Sequence, residues 1–402
     1  MDSHAKPLAV ITVGLPARGK TFTARNLSRY LRWIGVNTHT FAVANYRKSF
    51  IGDKLRADFF DPKNSEALNQ RTIIADKALN DLVSWFKTGG QVGILDASNT
   101  THQRRLLEHK TLTEHNINVI FLECIYEQDK IVESHIKELR LTCPEYEDVS
   151  PEDAIRDFKQ RIDYYRPSYS SLNPADIFPY IQIYNGGQKI VTKGISGYIP
   201  AKIVYYLMNL HNSPSKTIYL VPDNNDILIL QNFIARFFKD KPVKIWTGTT
   251  LATDLQEKRP LLDPIEEGLV GGLSTQEIIA QFPEEYLFHQ QDEYSHRYPR
   301  AESYRDLSHR LEKIIMELEK MDLETVIMAH ESVLRCIYAY YIEIKPQSIP
   351  KLVINAEEII ELKPHAYGCY EARYNIENDF EKVHSPKLRP YNDFLTDLPS
   401  VA

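Results

Sequence analysis

The stretch Gly14-Leu15-Pro16-Ala17-Arg18-Gly19-Lys20-Thr21 decides the fold of the first half of this chain. It fits the P-loop pattern and lies between an apolar strand at residues 8–13 and an amphipathic helix from residue 26. Glycines let consecutive backbone N–H groups surround phosphate oxygens, and the following helix N-terminus adds partial positive charge. The sequence therefore predicts a nucleotide site, with Lys20 reaching the β- and γ-phosphates and the Thr21 hydroxyl binding Mg²⁺.

Composition describes an ordinary globular chain that is long enough for two domains. Of its 402 residues, 43% are hydrophobic and 25% are charged, and the formal net charge is −6. Chains of this length usually divide into domains of about 100–200 residues. A negative net charge gives no broad attraction to nucleic acid or to anionic membranes, so neither is expected as a partner.

The cysteines and the N-terminus predict a cytoplasmic protein. Cys124, Cys143, Cys336 and Cys369 lie far apart and form no CxxC pair, which is typical of free thiols in a reducing compartment. The first residues carry no signal-peptide pattern, and no segment approaches ~20 consecutive apolar residues, so we expect no membrane span.

Strand and helix signals alternate along the first half. This alternation predicts an α/β fold, a mostly parallel sheet with helices on both faces. The signals are strands at 38–43, 91–95 and 118–125 and helices at 65–87 and 151–165. The polar, proline-containing segment 211–216 then predicts a domain boundary, which gives a first domain over residues 1–212.

The second half predicts another α/β domain, over residues 213–386. Its strand signals are at 217–221, 243–247 and 325–329, and one long helix is expected over 304–320. Residues 387–402 contain proline and aspartate with little periodicity and are expected to form a surface tail.

Asp96 ends the apolar strand at residues 91–95. Its carboxylate should emerge at the carboxyl edge of the sheet, where open α/β sheets bind ligands. In P-loop enzymes an acid at that position holds Mg²⁺ through water or takes a proton from the acceptor hydroxyl. The alternative is an aspartate that only caps the turn before Ser98.

A set of cations predicts an anionic acceptor. Arginine forks bind phosphate in bidentate fashion, so the set would suit a phosphorylated substrate, although each arginine taken singly is more often a solvated surface charge. The set comprises Arg47, Lys48, Arg71, Arg104, Arg105 and Arg161.

Four segments together resemble the 6-phosphofructo-2-kinase/fructose-2,6-bisphosphatase family, over about residues 8–376. They are the P-loop, Tyr46-Arg47-Lys48, Asp96-Ala97-Ser98-Asn99-Thr100-Thr101 and Ile203-Val204-Tyr205-Tyr206-Leu207-Met208-Asn209. The resemblance implies a P-loop kinase domain followed by a histidine-phosphatase-like α/β domain. It also implies transfer of the γ-phosphoryl of ATP, with Mg²⁺, to the 2-hydroxyl of fructose 6-phosphate. The product, fructose 2,6-bisphosphate, regulates glycolysis and gluconeogenesis, and the resemblance further suggests a homodimer.

The resemblance also implies a set of site residues. Lys20 and Asp96 would be catalytic, and Thr21 and Asp96 would hold the metal. ATP would be bound by Gly14, Leu15, Pro16, Ala17, Arg18, Gly19, Lys20, Thr21 and His135. The sugar phosphate would be bound by Arg47, Arg71, Ser98, Arg104, Arg140, Arg161 and Tyr165. Four positions depart from the family's usual residue: Ser98 replaces Thr, Tyr126 replaces an active-site Cys, Arg140 replaces Lys and His135 replaces Asn.

The second domain departs further from the phosphatase half of that family. Pro222 and Asp223 stand where the family has the arginine and the nucleophilic histidine, and Pro264 stands where it has the acid. The loop at 247–253 lacks the expected basic residues, while His330 remains as a residual phosphatase-site residue. A histidine phosphoenzyme needs nucleophile, cations and acid together, so we expect a degenerate phosphatase domain.

Two alternatives to a kinase acting on fructose 6-phosphate follow from these departures. One is a non-catalytic regulatory protein that senses ATP or a sugar phosphate, and the other is a bifunctional enzyme with residual hydrolysis. A P-loop kinase for a polynucleotide end is disfavoured because the chain is acidic and lacks a basic, aromatic-lined groove.

Overall fold

The computed structural model describes residues 6–52, 57–127, 132–133, 136, 149–210, 217–223, 227–239, 241–249, 257–365, 368–383 and 387–390. The chain forms two compact units, which divide between Asn212 and Ser213. No helix within these ranges is long and apolar enough to cross a membrane.

The first unit is built on a six-stranded sheet with the strand order β2-β3-β1-β4-β5-β6. The first five strands in this order run parallel, and β6 is antiparallel to β5. The strands are β1 Leu8–Val13, β2 Thr38–Ala42, β3 Val92–Asp96, β4 Asn118–Ile125, β5 Tyr180–Tyr184 and β6 Lys189–Lys193.

Side-chain caps mark the start of three helices of this unit, which begin at Ser65, His102 and Pro151. The helices are α1 Lys20–Trp33, α2 Val43–Ile51, α3 Ser65–Phe86, α4 His102–Glu114, α5 Pro151–Tyr165 and α6 Tyr198–Asn209. Asn64 accepts from the backbone N–H of Ala67 at the start of α3, and Ser150 accepts from that of Asp153 at the start of α5. A short 3-10 turn, Ala57–Phe60, precedes α3.

Close packing on the sheet buries the P-loop strand. All six residues of β1 are buried, between β3 on one side and β4 on the other. Gly93 of β3 has no side chain, and a Cβ there would lie 2.2 Å from Leu82 Cδ1 on α3. The glycine therefore lets α3 approach the sheet closely, which holds the strand that ends at Asp96 in place.

The second unit contains an eight-stranded sheet with the order β13-β12-β11-β7-β10-β8-β9, in which β14 also pairs with β12. Strands β7, β10, β8 and β9 run parallel, and β11 and β12 form an antiparallel hairpin that the sequence analysis did not predict. The strands are β7 Ile218–Pro222, β8 Val243–Thr247, β9 Glu257–Lys258, β10 Glu324–Ala329, β11 Glu358–His365, β12 Gly368–Asn375, β13 Glu381–Lys382 and β14 Lys387–Pro390.

Two expectations for this unit need correction. The single helix expected over 304–320 is two helices that meet at Leu311, whose ψ of −5° departs from the helical value. The tail expected over 387–402 begins with a strand, β14, because Lys387–Pro390 pairs with the edge of β12. The helices are α7 Ile227–Phe237, α8 Thr275–Gln281, α9 Pro283–Gln291, α10 Tyr304–Arg310, α11 Glu312–Lys320 and α12 Glu331–Ile342.

Candidate active site

The P-loop connects β1 to α1 and contains three residues with a positive φ angle. Gly14, Ala17 and Gly19 have φ angles of 139°, 57° and 71°. The Nζ of Lys20 donates to the carbonyl oxygen of Leu15, over 2.7 Å. Lys20 thus folds back over the loop, at the position from which a lysine in this motif reaches the β- and γ-phosphates.

Gly14 lies too close to β4 for a side chain. A Cβ at this position would lie 2.7 Å from the carbonyl oxygen of Cys124. The Gly14 N–H donates to the carbonyl oxygen of Ser98, over 2.9 Å, so the loop also contacts the turn that follows β3. Only glycine satisfies both contacts together with a φ of 139°.

Asp96 lies at the end of β3 and is buried between two hydroxyl groups. Thr21 Oγ1 donates to Asp96 Oδ2 over 2.7 Å, and Thr12 Oγ1 lies 3.3 Å from Asp96 Oδ1. Burial raises the pKa of Asp96, although Thr21 and Lys20 both favour the charged form. Burial also lowers the pKa of Lys20 to about 8, against the attraction of Asp96.

The oxygen atoms of Thr21 and Asp96 fit a magnesium ion. A hydroxyl and a carboxylate are hard donors, and Mg²⁺ is commonly held by one or two carboxylates together with substrate phosphates and water. Within the described ranges, no group of three or more His, Cys, Asp or Glu residues could hold a metal by itself. Two oxygen donors from the protein leave the other positions of an octahedral Mg²⁺ to nucleotide phosphates and water.

The turn after Asp96 is fixed to β1. Thr12 Oγ1 donates to the carbonyl oxygen of Ala97 and accepts from its N–H, over 2.7 and 2.9 Å. Asn99, with a φ of 42°, donates from Nδ2 to the Thr12 carbonyl oxygen over 3.0 Å. These contacts hold Ser98 beside the P-loop.

Arg105 was expected to bind an anionic acceptor, but the structure places its side chain in the interior of the unit. Its side chain is fully buried, and Nη1 donates to the carbonyl oxygens of Asn99 and Thr100 over 3.1 and 3.3 Å. It stabilises the turn after Asp96 from inside the unit. Sequence alone could not separate it from Arg104 because burial depends on how α4 packs.

Four of the predicted acceptor residues converge on one phenylalanine, Phe60. The guanidinium carbons of Arg161 and Arg47 lie 4.6 and 5.3 Å from the centre of its ring. Arg71 Nη1 donates to its carbonyl oxygen over 3.3 Å, and the Tyr165 ring lies 5.9 Å away. The structure thus brings together side chains from α2, α3 and α5.

Arg104 has other partners, two carboxylates. Its Nη1 donates to Asp76 Oδ1 over 2.6 Å, and its Nε donates to Glu108 Oε1 over 2.9 Å. Glu108 is buried, and burial raises its pKa to about 7 in spite of the Arg104 charge.

Three further predicted positions have different outcomes. His135 and Arg140 lie outside the described residues. Tyr126 packs beside a buried apolar cluster that includes Leu15 and Ala17 of the P-loop and Phe158 of α5. A tyrosine at this position therefore contributes packing behind the loop.

In the second unit, His330 caps α12 and lies near Asp223. The backbone N–H of Asp223 donates to the Ala329 carbonyl oxygen over 3.1 Å, so Asp223 extends the pairing of β7 with β10. Burial raises the pKa of Asp223 while the nearby His330 opposes that shift. The Nδ1 of His330 lies 2.9 Å from Ser332 Oγ.

Pro264 and the residues just before it in the second unit are held by hydrogen bonds to Arg310. Arg310 donates to the carbonyl oxygens of Leu261, Asp263 and Pro264 and to the carboxylate of Glu302. Its guanidinium is thus held by main-chain oxygens and a carboxylate. Asp263 accepts from Thr249, over 2.5 Å from the backbone N and 2.8 Å from Oγ1.

Comparison with known proteins identifies the family. The family model for 6-phosphofructo-2-kinase matches residues 1–214, and that for the histidine phosphatase superfamily (branch 1) matches residues 250–377. The chain is 34% identical over 395 residues to 6-phosphofructo-2-kinase/fructose-2,6-bisphosphatase 3 of Rattus norvegicus, covering 90% of this chain and 71% of that protein. The chain belongs to the 6-phosphofructo-2-kinase/fructose-2,6-bisphosphatase family.

Other members of this family show a similar level of identity. The protein of Gallus gallus is 33% identical over 430 residues, covering 98% of this chain and 90% of that protein. The protein of Arabidopsis thaliana is 35% identical over 407 residues, covering 93% of this chain and 54% of that protein. The resemblance and the fold class expected from the sequence are confirmed.

Sequence reasoning missed three residues of the site, Thr12, Asn99 and Phe60. Thr12 is the one polar residue in the apolar run Leu8-Ala9-Val10-Ile11-Thr12-Val13, and this exception could have indicated that it belongs to the site. Phe60 belongs to an aromatic pair, Phe59-Phe60, in a charge-rich segment between two helices. Asn99 offered only its residue type, which tolerates a left-handed backbone.

Proposed function

We propose that this chain transfers the γ-phosphoryl group of ATP to the 2-hydroxyl of fructose 6-phosphate. The observation that carries the proposal is the hydrogen bond between Thr21 and Asp96 beside the P-loop lysine, in a chain that also gathers arginines around Phe60. The first group suits nucleotide phosphates and a metal, and the second suits the phosphate of the acceptor.

The transfer forms a bond between the acceptor oxygen and Pγ and breaks the bond between Pγ and the ADP oxygen. Lys20 neutralises charge on the transferring group, and the backbone N–H groups of the P-loop hold the phosphates. Asp96 takes the hydroxyl proton, since its carboxylate lies at the edge of the sheet beside the P-loop. Mg²⁺, held by Thr21 and Asp96, supplies further positive charge when it is bound.

The acceptor would be held mainly through its phosphate. Arg47, Arg71 and Arg161 offer planar donors that match phosphate oxygens, and Tyr165 adds a hydroxyl beside them. Arg104 and Ser98 border the same turn after Asp96 and would contact the sugar. We place His135 on the nucleotide and Arg140 on the acceptor by resemblance alone.

The test is ATP turnover with fructose 6-phosphate as the sole acceptor. The expected result is formation of fructose 2,6-bisphosphate and ADP in equal amounts by the wild type and no product from Lys20→Ala. Fructose 1-phosphate and a DNA 5′-hydroxyl end serve as control acceptors. Binding of ATP without product from any acceptor would contradict the proposal and favour a sensor.

We propose in addition that the second unit does not hydrolyse fructose 2,6-bisphosphate. Asp223, where the family has its nucleophilic histidine, would repel a phosphate dianion, and Pro222 and Pro264 provide neither a cation nor an acid. The match to the histidine phosphatase superfamily begins at residue 250, after Pro222 and Asp223. Residual hydrolysis, as in a bifunctional enzyme, is the alternative outcome of the test given below.

We also propose that the chain is cytoplasmic and forms a homodimer. A reducing, cytoplasmic environment agrees with three buried free thiols among the described residues, Cys124, Cys336 and Cys369. A homodimer is expected from the family resemblance, and light scattering on the purified protein would test it.

A further inference from the structure

Phe60 is the residue at which the predicted acceptor arginines meet. It ends the 3-10 turn Ala57–Phe60 and is 5% exposed. Its ring contacts two guanidinium groups, from Arg161 and Arg47, and its carbonyl oxygen accepts from a third, Arg71.

The contact between the Phe60 ring and these guanidinium groups differs from an ion pair because the ring carries no net charge. Three like charges in one partly buried pocket repel one another, so something must hold them close. A carboxylate would do so but would lower the net positive charge, as Asp76 does beside Arg104 and Asp157 does beside Arg161. An aromatic face attracts guanidinium groups through its quadrupole and adds no negative charge to the pocket.

Neighbouring contacts make the ring a rigid support. Phe59 packs edge-on against Phe60, with ring centres 5.3 Å apart, and Tyr165 packs on it from α5. Arg161 is also tied to its own helix, since its Nε lies 2.7 Å from Asp157 Oδ2. The orientation of the ring is thus set by packing before any substrate arrives.

We propose that Phe60 is a positioning residue, which sets the spacing of Arg47, Arg71 and Arg161 for the phosphate of the acceptor. This inference rests on the proposed function of the same site. It adds a residue that does not contact the substrate but fixes those that do. Groups held in the bound geometry lose less freedom on binding, so loss of the ring should weaken acceptor binding selectively.

The experiment replaces the ring by aliphatic and aromatic side chains. Phe60→Leu and Phe60→Met remove the aromatic face, and Phe60→Tyr keeps it. Phe178→Leu is the matched control, because Phe178 is a buried phenylalanine of the same unit, at 1% exposed, whose ring packs on Phe121. The melting temperature of each variant reports whether it folds.

We expect Phe60→Leu and Phe60→Met to raise the KM for fructose 6-phosphate by about tenfold, with the KM for ATP changed less than about twofold. Phe60→Tyr should restore the wild-type KM to within about threefold, and Phe178→Leu should leave it near wild type. Equal weakening of both substrates, or an equal effect of Phe178→Leu, would overturn the proposal, because it would indicate a purely structural role.

A binding measurement separates this proposal from the proposed function. Calorimetry without ATP gives the dissociation constants of fructose 6-phosphate and of inorganic phosphate. If the wild type does not turn over fructose 6-phosphate, the proposed function fails, and weaker phosphate binding by Phe60→Met would still support the role of Phe60. If the wild type is active and the variants bind both probes as it does, the role of Phe60 fails alone.

The wild type provides a readout should the aliphatic variants not fold. The side-chain Nε–H signals of Arg47 and Arg161 should carry ring-current shifts in NMR spectra, since both guanidinium groups lie over the Phe60 ring. These shifts should persist when inorganic phosphate is added. Shifts that are absent, or that vanish on addition of phosphate, would overturn the proposal.

Discussion

Thr21 donates its hydroxyl hydrogen to the carboxylate of Asp96, with 2.7 Å between Thr21 Oγ1 and Asp96 Oδ2. The two residues are 75 positions apart in the sequence and lie on different elements, the first turn of α1 and the end of β3. This contact joins the nucleotide loop to the acid of the site. It depends on β1 and β3 being neighbours in the sheet.

Replacing Lys20 by alanine should abolish kinase activity while the protein stays folded. Lys20 would stabilise charge on the transferring phosphoryl group, and such groups are worth about 3 kcal/mol or more of transition-state free energy, a rate loss of at least about a hundredfold. Steady-state ATP turnover is the measurement. Lys77→Ala, at an exposed ion pair on α3, is the control and should keep the wild-type rate. A Lys20→Ala variant of normal rate would show that the loop is not the site.

Arg161→Ala should raise the KM for fructose 6-phosphate and leave that for ATP nearly unchanged. A charge-assisted contact contributes about 1.5–3 kcal/mol, so an increase of about tenfold or more is expected. Arg71→Ala should act in the same direction. Arg156→Ala is the control on the same helix, since its side chain is 78% exposed. Equal loss for both substrates in initial-rate kinetics would point to a structural role instead.

Gly14→Ala should weaken ATP binding and lower stability more than Gly35→Ala does. Both glycines have positive φ, 139° and 86°, but a Cβ at Gly14 would lie 2.7 Å from the Cys124 carbonyl oxygen, whereas one at Gly35 would have no atom within 4 Å. Gly35→Ala therefore costs only backbone strain of about 1 kcal/mol. Urea unfolding and ATP titration of both variants give the comparison. Equal losses of stability would mean that contact with β4 is not what requires Gly14.

The stability that Glu108 provides should fall as the pH rises through the neutral range. Burial raises the pKa of Glu108 from 4.5 to about 7, so between these values the native state holds a proton that the unfolded state releases. The free energy of unfolding of the wild type, relative to Glu108→Gln, should therefore decrease by about 3 kcal/mol between pH 4.5 and pH 7 and then level off. Urea unfolding of both proteins at several pH values measures this difference. A constant difference would show that Glu108 is ionised throughout.

The purified protein should release no inorganic phosphate from fructose 2,6-bisphosphate above a blank without enzyme. Pro222, Asp223 and Pro264 stand where the family has its arginine, nucleophilic histidine and acid, and catalytic groups that act as a unit retain little rate when only one is left. His330→Ala should leave the kinase rate unchanged. Acid-quenched samples should contain no phosphorylated protein. Hydrolysis that disappears on His330→Ala would restore a bifunctional enzyme.

The P-loop and the position of Asp96 could be predicted because each depends on a short stretch of sequence. The P-loop, from Gly14 to Thr21, is one continuous motif whose glycines and flanking periodicity need no distant partner to be read. The position of Asp96 followed from the end of an apolar strand, since parallel strands end at one edge of a sheet.

Tertiary packing decided what sequence could not predict. Arg104 and Arg105 are adjacent and of one residue type, yet one is partly exposed between carboxylates and the other is fully buried. The gathering of arginines at Phe60 depends on helices that are distant in sequence. The hairpin of β11 and β12 is a local pairing, but β11 joins the sheet through β7, a strand that is distant in sequence.

The pairing of Asp223 with Ala329 uses only backbone groups, an N–H and a carbonyl. This hydrogen bond at the end of β7 therefore does not depend on which side chain stands at position 223. Residues of different chemistry can therefore replace one another at this strand end while the strand stays paired in the sheet.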